Sequence, residues 1–234
     1  MLSGGLLGSA AACARPGGAG TGALPAAPAP APTPTPALRA PLTYAALGAS
    51  DAVGVGVENP ARDAWVAVLG RSLPQPARVV NLGIPGIRLR EALEVEVPPA
   101  LDARPDLVTV WLVVNDILGG VAPEQYRADL DRLLSQLRSG TEAYVAVGNV
   151  PDAPPGSHYL GLGASERRQL TESWNAVIAG STQAHGAVLV DLFNRWPVPE
   201  HPHYIGPDGL HPTVAGYRSL AEVFLQVLRE QRII

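Results

Sequence analysis

Near the carboxyl end of the chain, Gly206-Pro207-Asp208-Gly209-Leu210-His211-Pro212 sets an aspartate three residues before a histidine. At that spacing a carboxylate can hydrogen-bond one ring nitrogen within a single loop. This fixes the tautomer and leaves the other nitrogen free to take a proton from a hydroxyl. A suitable hydroxyl lies in Leu47-Gly48-Ala49-Ser50-Asp51, where Ser50 follows an apolar run and Gly48 permits a sharp turn. A serine on a strand-to-helix turn offers its oxygen, with backbone N–H groups beside it, to an incoming carbonyl. Two further segments carry donors. Asn81-Leu82-Gly83-Ile84-Pro85-Gly86 contains glycines that let backbone N–H groups approach a substrate closely. Val113-Val114-Asn115-Asp116 sets an amide directly after a very apolar run, where it can donate to a developing oxyanion. Each segment also has a purely structural reading. Serine and asparagine cap helices, glycine is common in βα turns, and an Asp-x-x-His spacing is frequent.

The elements that must carry these residues follow from hydrophobic patterning. Short apolar runs at Thr43–Leu47, Arg78–Leu82, Leu107–Val114, Ala143–Gly148 and Ala187–Leu192 are bounded by Gly, Pro, Asn or Asp and read as buried strands. Helical spacing marks Arg62–Leu69, Ala122–Leu137, Ser165–Ala184 and Thr213–Arg229. Five strands alternating with helices predict a parallel sheet covered on both faces, a three-layer α/β/α sandwich of flavodoxin-like type. In such a sheet the chemistry lies beyond the carboxyl ends of the strands, and the candidate residues above follow predicted strand ends.

The chain has 234 residues, enough for one ordinary domain with a full core. Its formal net charge is −4 and no basic cluster occurs, so nothing points to nucleic acid. Every basic residue is arginine, which with the abundant Ala, Gly and Pro reflects a GC-rich genome. Cys13 is the single cysteine, which excludes an internal disulfide. No apolar run reaches the ~20 residues of a membrane-spanning helix. Residues 1–41 differ from the rest. Leu2–Ala12 is small and apolar and ends in Ala10-Ala11-Ala12-Cys13, the pattern of a bacterial lipoprotein cleavage site, although no basic residue precedes it. The Pro-rich segment Gly17–Pro41 reads as an extended spacer, so the folded domain is expected over 42–234. This organisation predicts an extracellular or cell-surface protein with a membrane tether through Cys13. A disordered Ala/Gly-rich tail is the alternative.

Taken together, the four motif blocks resemble the SGNH hydrolases, also called GDSL esterases and lipases, from about Tyr44 to Tyr217 and in that family's order. The resemblance implies a serine esterase that needs no cofactor or metal and acts on a small-molecule or lipid ester. Ser50 matches the nucleophile. Gly86 and Asn115 match the partners of the Ser50 N–H in the oxyanion hole. Asp208 and His211 match the last block, with His211 as general base and then general acid. Two positions depart from the family pattern. Ala49 stands where the first block usually has aspartate, with Asp51 after the serine, and Val113 stands where the third block usually has glycine. Since histidine titrates near neutrality, the rate is expected to rise through roughly pH 6–7. The small domain implies an open cleft and short-to-medium acyl chains.

Other readings compete. His201, His203, His211 and Asp208 could form a zinc set, although His201-Pro202-His203 lacks helical ligand spacing. Gly54-Val55-Gly56 superficially suggests a phosphate loop without completing a known motif. An acetyl-carbohydrate esterase, or a catalytically silent surface binding protein on the same fold, would keep the same residues. Trp65, Trp111 and Trp174 read as core, Trp196 as either acyl-pocket wall or rim, and His158 as a loop histidine at the sheet's catalytic edge.

Overall fold

The computed structural model describes residues 37–152 and 161–234. Cys13, most of the spacer and His158 lie outside the described residues. The chain joins the fold at Leu38, whose N–H donates to the carbonyl of Ile233 at 2.6 Å, four residues before the first strand.

Five strands form one parallel sheet in the order β2-β1-β3-β4-β5. They are β1 (Leu42–Gly48), β2 (Ala77–Asn81), β3 (Leu107–Trp111), β4 (Tyr144–Gly148) and β5 (Val188–Val190). The two most apolar runs are β1 and β3. They lie next to each other inside the sheet and are almost wholly buried, as strands covered on both faces must be. At the edge, β2 exposes Arg78, Val79 and Asn81. The chain moves outward from β1 to β2, then crosses back over β1 to β3. That reversal opens a crevice between the carboxyl ends of β1 and β3, the place where doubly wound sheets bind ligands. Gly48 pairs with Trp111 and Ala46 with Asn81, so three of the candidate loops leave the sheet at one level.

Helices cover both faces. The first crossover contains α1 (Ser50–Val53), α2 (Pro60–Asp63) and α3 (Trp65–Ser72), and α3 packs against the last helix, α10 (Val214–Glu230). The next crossovers contain α4 (Leu89–Val95), α5 (Val97–Asp102), α6 (Val114–Leu118), α7 (Pro123–Gly140) and α8 (Ala164–Ala184), with α4, α5 and α8 each packed against α7. A short α9 (Leu192–Arg195) follows β5. In α10, Tyr217, Leu220, Ala221, Phe224 and Leu228 recur on one face and are buried. Trp65 stacks on Phe224 with ring centroids 4.6 Å apart, which locks α3 to α10.

Several boundaries differ from the patterning. The apolar run Leu107–Val114 does not stay extended. Val113 adopts a ψ of −38°, the strand ends at Trp111, and Asn115 falls in the first turn of α6. The fifth strand stops at Val190 because the Asp191 side chain caps α9, accepting from the Asn194 N–H. The Arg62–Leu69 helix is two helices broken at Ala64, which is extended with ψ 145°. The patterning assigns no helix between residues 82 and 107, where α4 and α5 form. Pro98-Pro99 interrupts the periodicity there, and prolines are tolerated only because they fall in the first turn of α5.

Candidate active site

Ser50 is the first residue of α1, directly after β1, so its N–H is among those a helix start leaves without an intrahelical partner. The turn is compact because small residues meet behind it. A Cβ at Gly48 would lie 2.6 Å from the Ala52 Cβ, and one at Gly83 would lie 2.7 Å from the same atom. Only glycine at both positions lets the serine turn and the β2–α4 loop close on each other. Asn81 fastens that closure, donating from its amide to the Ala52 carbonyl at 2.7 Å and accepting from the Gly83 N–H at 3.1 Å.

The His211 loop reaches Ser50 from 161 residues away. An antiparallel bridge between Ile205 and Pro212 closes the loop, with the Gly206 N–H donating to the His211 carbonyl at 2.8 Å. The Gly54-Val55-Gly56 segment is the turn that ends α1 and the seat of this loop. Gly56, at φ +97°, lies so close that a Cβ there would be 3.2 Å from the Pro212 carbonyl. The Tyr217 hydroxyl donates to the Val55 carbonyl at 2.7 Å. The polar chain that results is continuous. His211 Nε2 is 2.9 Å from Ser50 Oγ, and His211 Nδ1 is 2.6 Å from Asp208 Oδ2. The other Asp208 oxygen, Oδ1, accepts the N–H groups of Leu210 and His211, each at 3.0 Å. Partial burial pushes the Asp208 carboxyl up, but the bonds from the His211 ring and the two N–H groups outweigh it. They hold the group below the usual carboxylate range.

Asn115 faces the same hollow as Ser50 and His211, together with Trp111, Val113, Val114 and Leu210. One of its amide hydrogens is held by the Ile87 carbonyl at 2.8 Å, which orients the group and leaves the second available. Gly86 does not itself line this hollow. It precedes Ile87 in a turn at φ +80°, so the Asn115 bond holds the Gly86 turn beside the amide. Next to Asn115, buried Asp116 accepts the Leu89 N–H at the start of α4 at 3.0 Å. Burial pushes its carboxyl up to about 6.

The unusual Val113 lines the hollow directly and is buried. Trp111, Val114, Leu210 and Pro212 wall a second, apolar hollow of about 70 Å³, completed by residues including Ile117, Val150, Trp196 and Val198. Trp196 is therefore a pocket wall, buried and set edge-on to Trp111 at 6.1 Å between ring centroids. Trp111 combines core packing with contact to both hollows, whereas Trp65 and Trp174 are core. Among the described residues no group of three or more His, Cys, Asp or Glu converges as a metal site, and His201 and His203 pack on each other and on Tyr204.

Two acidic residues lie beneath the serine turn: Asp51, which the sequence shows only as a departure from the family pattern, and Glu96, which nothing in the patterning marks. The Asp51 carboxyl turns inward with Oδ2 buried and unpaired. The Trp65 indole N–H lies close but does not meet hydrogen-bond geometry. Burial pushes Asp51 up to about 7, opposed by its own N–H and by the nearby His211. Glu96, fully buried at the junction of α4 and α5, accepts the Gly48 N–H at 3.1 Å.

Comparison with known proteins bears on the family and the fold. No curated protein matches the chain in sequence. Among solved structures it is similar to TesA, with 25% identity, a TM-score of 0.68, and coverage of 81% of this chain and 99% of that one. It is similar in fold to a GDSL-like lipase structure from Parabacteroides merdae, with 16% identity, a TM-score of 0.70, and coverage of 83% and 98%. It also resembles Axe2, an acetylxylan esterase from Geobacillus stearothermophilus, with 20% identity, a TM-score of 0.65, and coverage of 81% and 95%. The model of the GDSL-like Lipase/Acylhydrolase family matches residues 46–219, from the strand before Ser50 through the His211 loop into α10. The chain belongs to the GDSL-like lipase/acylhydrolase family and is an ester hydrolase.

Proposed function

We propose that the protein is a serine esterase that forms an acyl-enzyme on Ser50. The observation that carries this reading is the continuous hydrogen-bonded chain from Asp208 through His211 to Ser50. Asp208 accepts from Nδ1, so the proton sits there and Nε2 is the base. Nε2 takes the Ser50 proton as Oγ bonds to the ester carbonyl carbon. The carbonyl π pair moves onto oxygen, where the Ser50 N–H, the Gly86 N–H and the free Asn115 amide hydrogen donate to it. When the carbon–oxygen bond to the alcohol breaks, the imidazolium returns its proton to the departing alkoxide. Water then repeats the sequence on the acyl-enzyme and releases the acid.

The acyl part is short to medium in length and lies in the apolar hollow between Trp111, Ile117 and Trp196, which opens beside Ser50 and shares four wall residues with the serine hollow. With the tether read from the Cys13 segment, lipid or cell-envelope esters are the natural class. Incorporation of labelled fatty acid, lost in Cys13→Ser, tests the tether.

The deciding experiment is hydrolysis of p-nitrophenyl acetate, butyrate, octanoate and palmitate by wild type and Ser50→Ala, with and without chelator, alongside labelling by a fluorophosphonate. Activity that disappears in Ser50→Ala, ignores chelator and tracks labelling of Ser50 is the expected result. Substantial activity in a folded Ser50→Ala variant would overturn the assignment.

A further inference from the structure

Gly48 lies two residues before the nucleophile, and both of its backbone polar groups are engaged across the crevice. Its carbonyl accepts the Ile84 N–H at 3.2 Å, which ties it to the loop carrying Gly86. Its N–H donates to Glu96 Oε2 at 3.1 Å, and the Ile84 N–H faces the same carboxyl. One buried side chain from the α4–α5 junction thus spans the two backbone segments that carry the Ser50 and Gly86 donors.

A carboxyl is an expensive choice for this place. Glu96 has no exposed surface, and its second oxygen, Oε1, is buried without a hydrogen-bond partner. An amide or a backbone carbonyl could accept the Gly48 N–H at lower desolvation cost. Across the turn lies the half-buried Asp51, whose Oδ2 is likewise buried without a hydrogen-bond partner. The groups facing this pair are few. From β1 and the β2–α4 loop, the Gly48 and Ile84 backbones face Glu96. Asp51 faces Glu96, His211 on the last loop, the Trp65 indole on α3, and Tyr217 on α10.

We propose that Glu96 is a positioning residue for the oxyanion hole: its carboxyl, accepting the Gly48 N–H, clamps the turn that leads to Ser50 beside the Gly83–Gly86 loop. Burial and the neighbouring Asp51 charge push Glu96 up to about 8, opposed by the Gly48 and Ile84 N–H groups. The inference rests on the serine esterase reading above, in which these two segments hold the oxyanion.

Full-length wild type, Glu96→Gln and Glu96→Leu are compared from pH 6 to 10 on p-nitrophenyl butyrate, with Ser50→Ala as reference and melting temperature measured at each pH. Loss of the clamp is expected to appear in kcat rather than KM, because the oxyanion forms only after substrate is bound. Glu96→Gln keeps an acceptor for the Gly48 N–H, so its kcat and KM stay within a few-fold of wild type across this range. Glu96→Leu leaves the Gly48 N–H unpaired and lowers kcat by about 10- to 100-fold at every pH. A folded Glu96→Gln as slow as Glu96→Leu, a loss in Glu96→Leu confined to KM, or a folded Glu96→Leu with wild-type kcat would each overturn the proposal. If Glu96→Leu does not fold, Glu96→Met, closer in shape and also without an acceptor, takes its place with the same expected loss and the same refuting outcomes. Should Ser50→Ala stay active, the esterase mechanism itself fails, which these outcomes separate from failure of the clamp.

Discussion

Replacing Asp208 by asparagine tests the catalytic chain more sharply than removing the side chain. The two carboxylate oxygens have different duties. Oδ1 accepts both loop N–H groups, from Leu210 and His211, and Oδ2 alone meets the His211 ring. An asparagine amide has one acceptor oxygen, and the two backbone donors claim it, because turning NH₂ toward them would leave both unpaired at about 1–3 kcal/mol each. The amide nitrogen then faces Nδ1 and donates to it. That holds the neutral imidazole with its proton on Nε2, the wrong tautomer to accept from Ser50. The same exchange in a Ser-His-Asp protease costs about 10⁴ in kcat, equivalent to about 5.5 kcal/mol of barrier. We expect a loss of that order for Asp208→Asn near neutral pH, with KM and melting temperature little changed. Asp208→Ala loses the loop bonds but imposes no tautomer, so it should be no more active than wild type and no less active than Asp208→Asn. The assay is steady-state hydrolysis of p-nitrophenyl butyrate with unfolding monitored in parallel. Asp208→Asn within tenfold of wild type would refute the tautomer argument, as would Asp208→Ala ten times weaker than Asp208→Asn.

Asn115→Ala removes one oxyanion donor and should cost about 10²–10³ in kcat, with residual turnover; wild-type activity in that variant would remove Asn115 from the oxyanion hole. Filling the apolar hollow by Ile117→Trp should lower octanoate hydrolysis more than acetate hydrolysis. Octanoate and butyrate differ by four methylenes at about 0.8 kcal/mol each, so kcat/KM ratios between them have a ceiling of roughly 200-fold, and an unchanged ratio would place the acyl chain elsewhere. Asp51 and Glu96 are both held above their ordinary values in the fold, at about 7 and about 8. Their contribution to stability is therefore complete in acid and lost as pH rises from about 4 to about 8. The hydrogen-bonded Asp63 and Asp208 carboxyls are held low and act oppositely, losing their contribution only in acid. Melting temperature should consequently peak near mildly acidic pH and decline toward pH 8, less steeply in Asp51→Asn; a rise between pH 5 and 8 would contradict the assigned shifts.

What could be read without a structure was whatever chemistry is local in sequence. Asp208 and His211 are three residues apart and sit in one loop, so their pairing is a property of the loop itself. Ser50 and Asn115 announce themselves by following the two most apolar strands, and burial on both faces makes those strands the centre of a parallel sheet. The strand ends were less legible. Val113 and Val114 look like continued strand, and only packing in the crevice turns them into the start of α6.

Other features required the fold. Glu96 lies between two valines in a segment with acids on either side, and nothing in that pattern separates it from surface glutamates such as Glu94. Its contact with Gly48 spans 48 residues and exists because α4 and α5 turn a corner beneath β1. The inward turn of Asp51 and the trough joining Trp111 to Trp196 arise in the same way, from several distant segments meeting at one point. Sequence by itself determined which groups could react, since residue type and local spacing set proton and donor chemistry. Tertiary structure decided which of them meet and which acids are buried, because distance and desolvation are properties of segments brought together by folding.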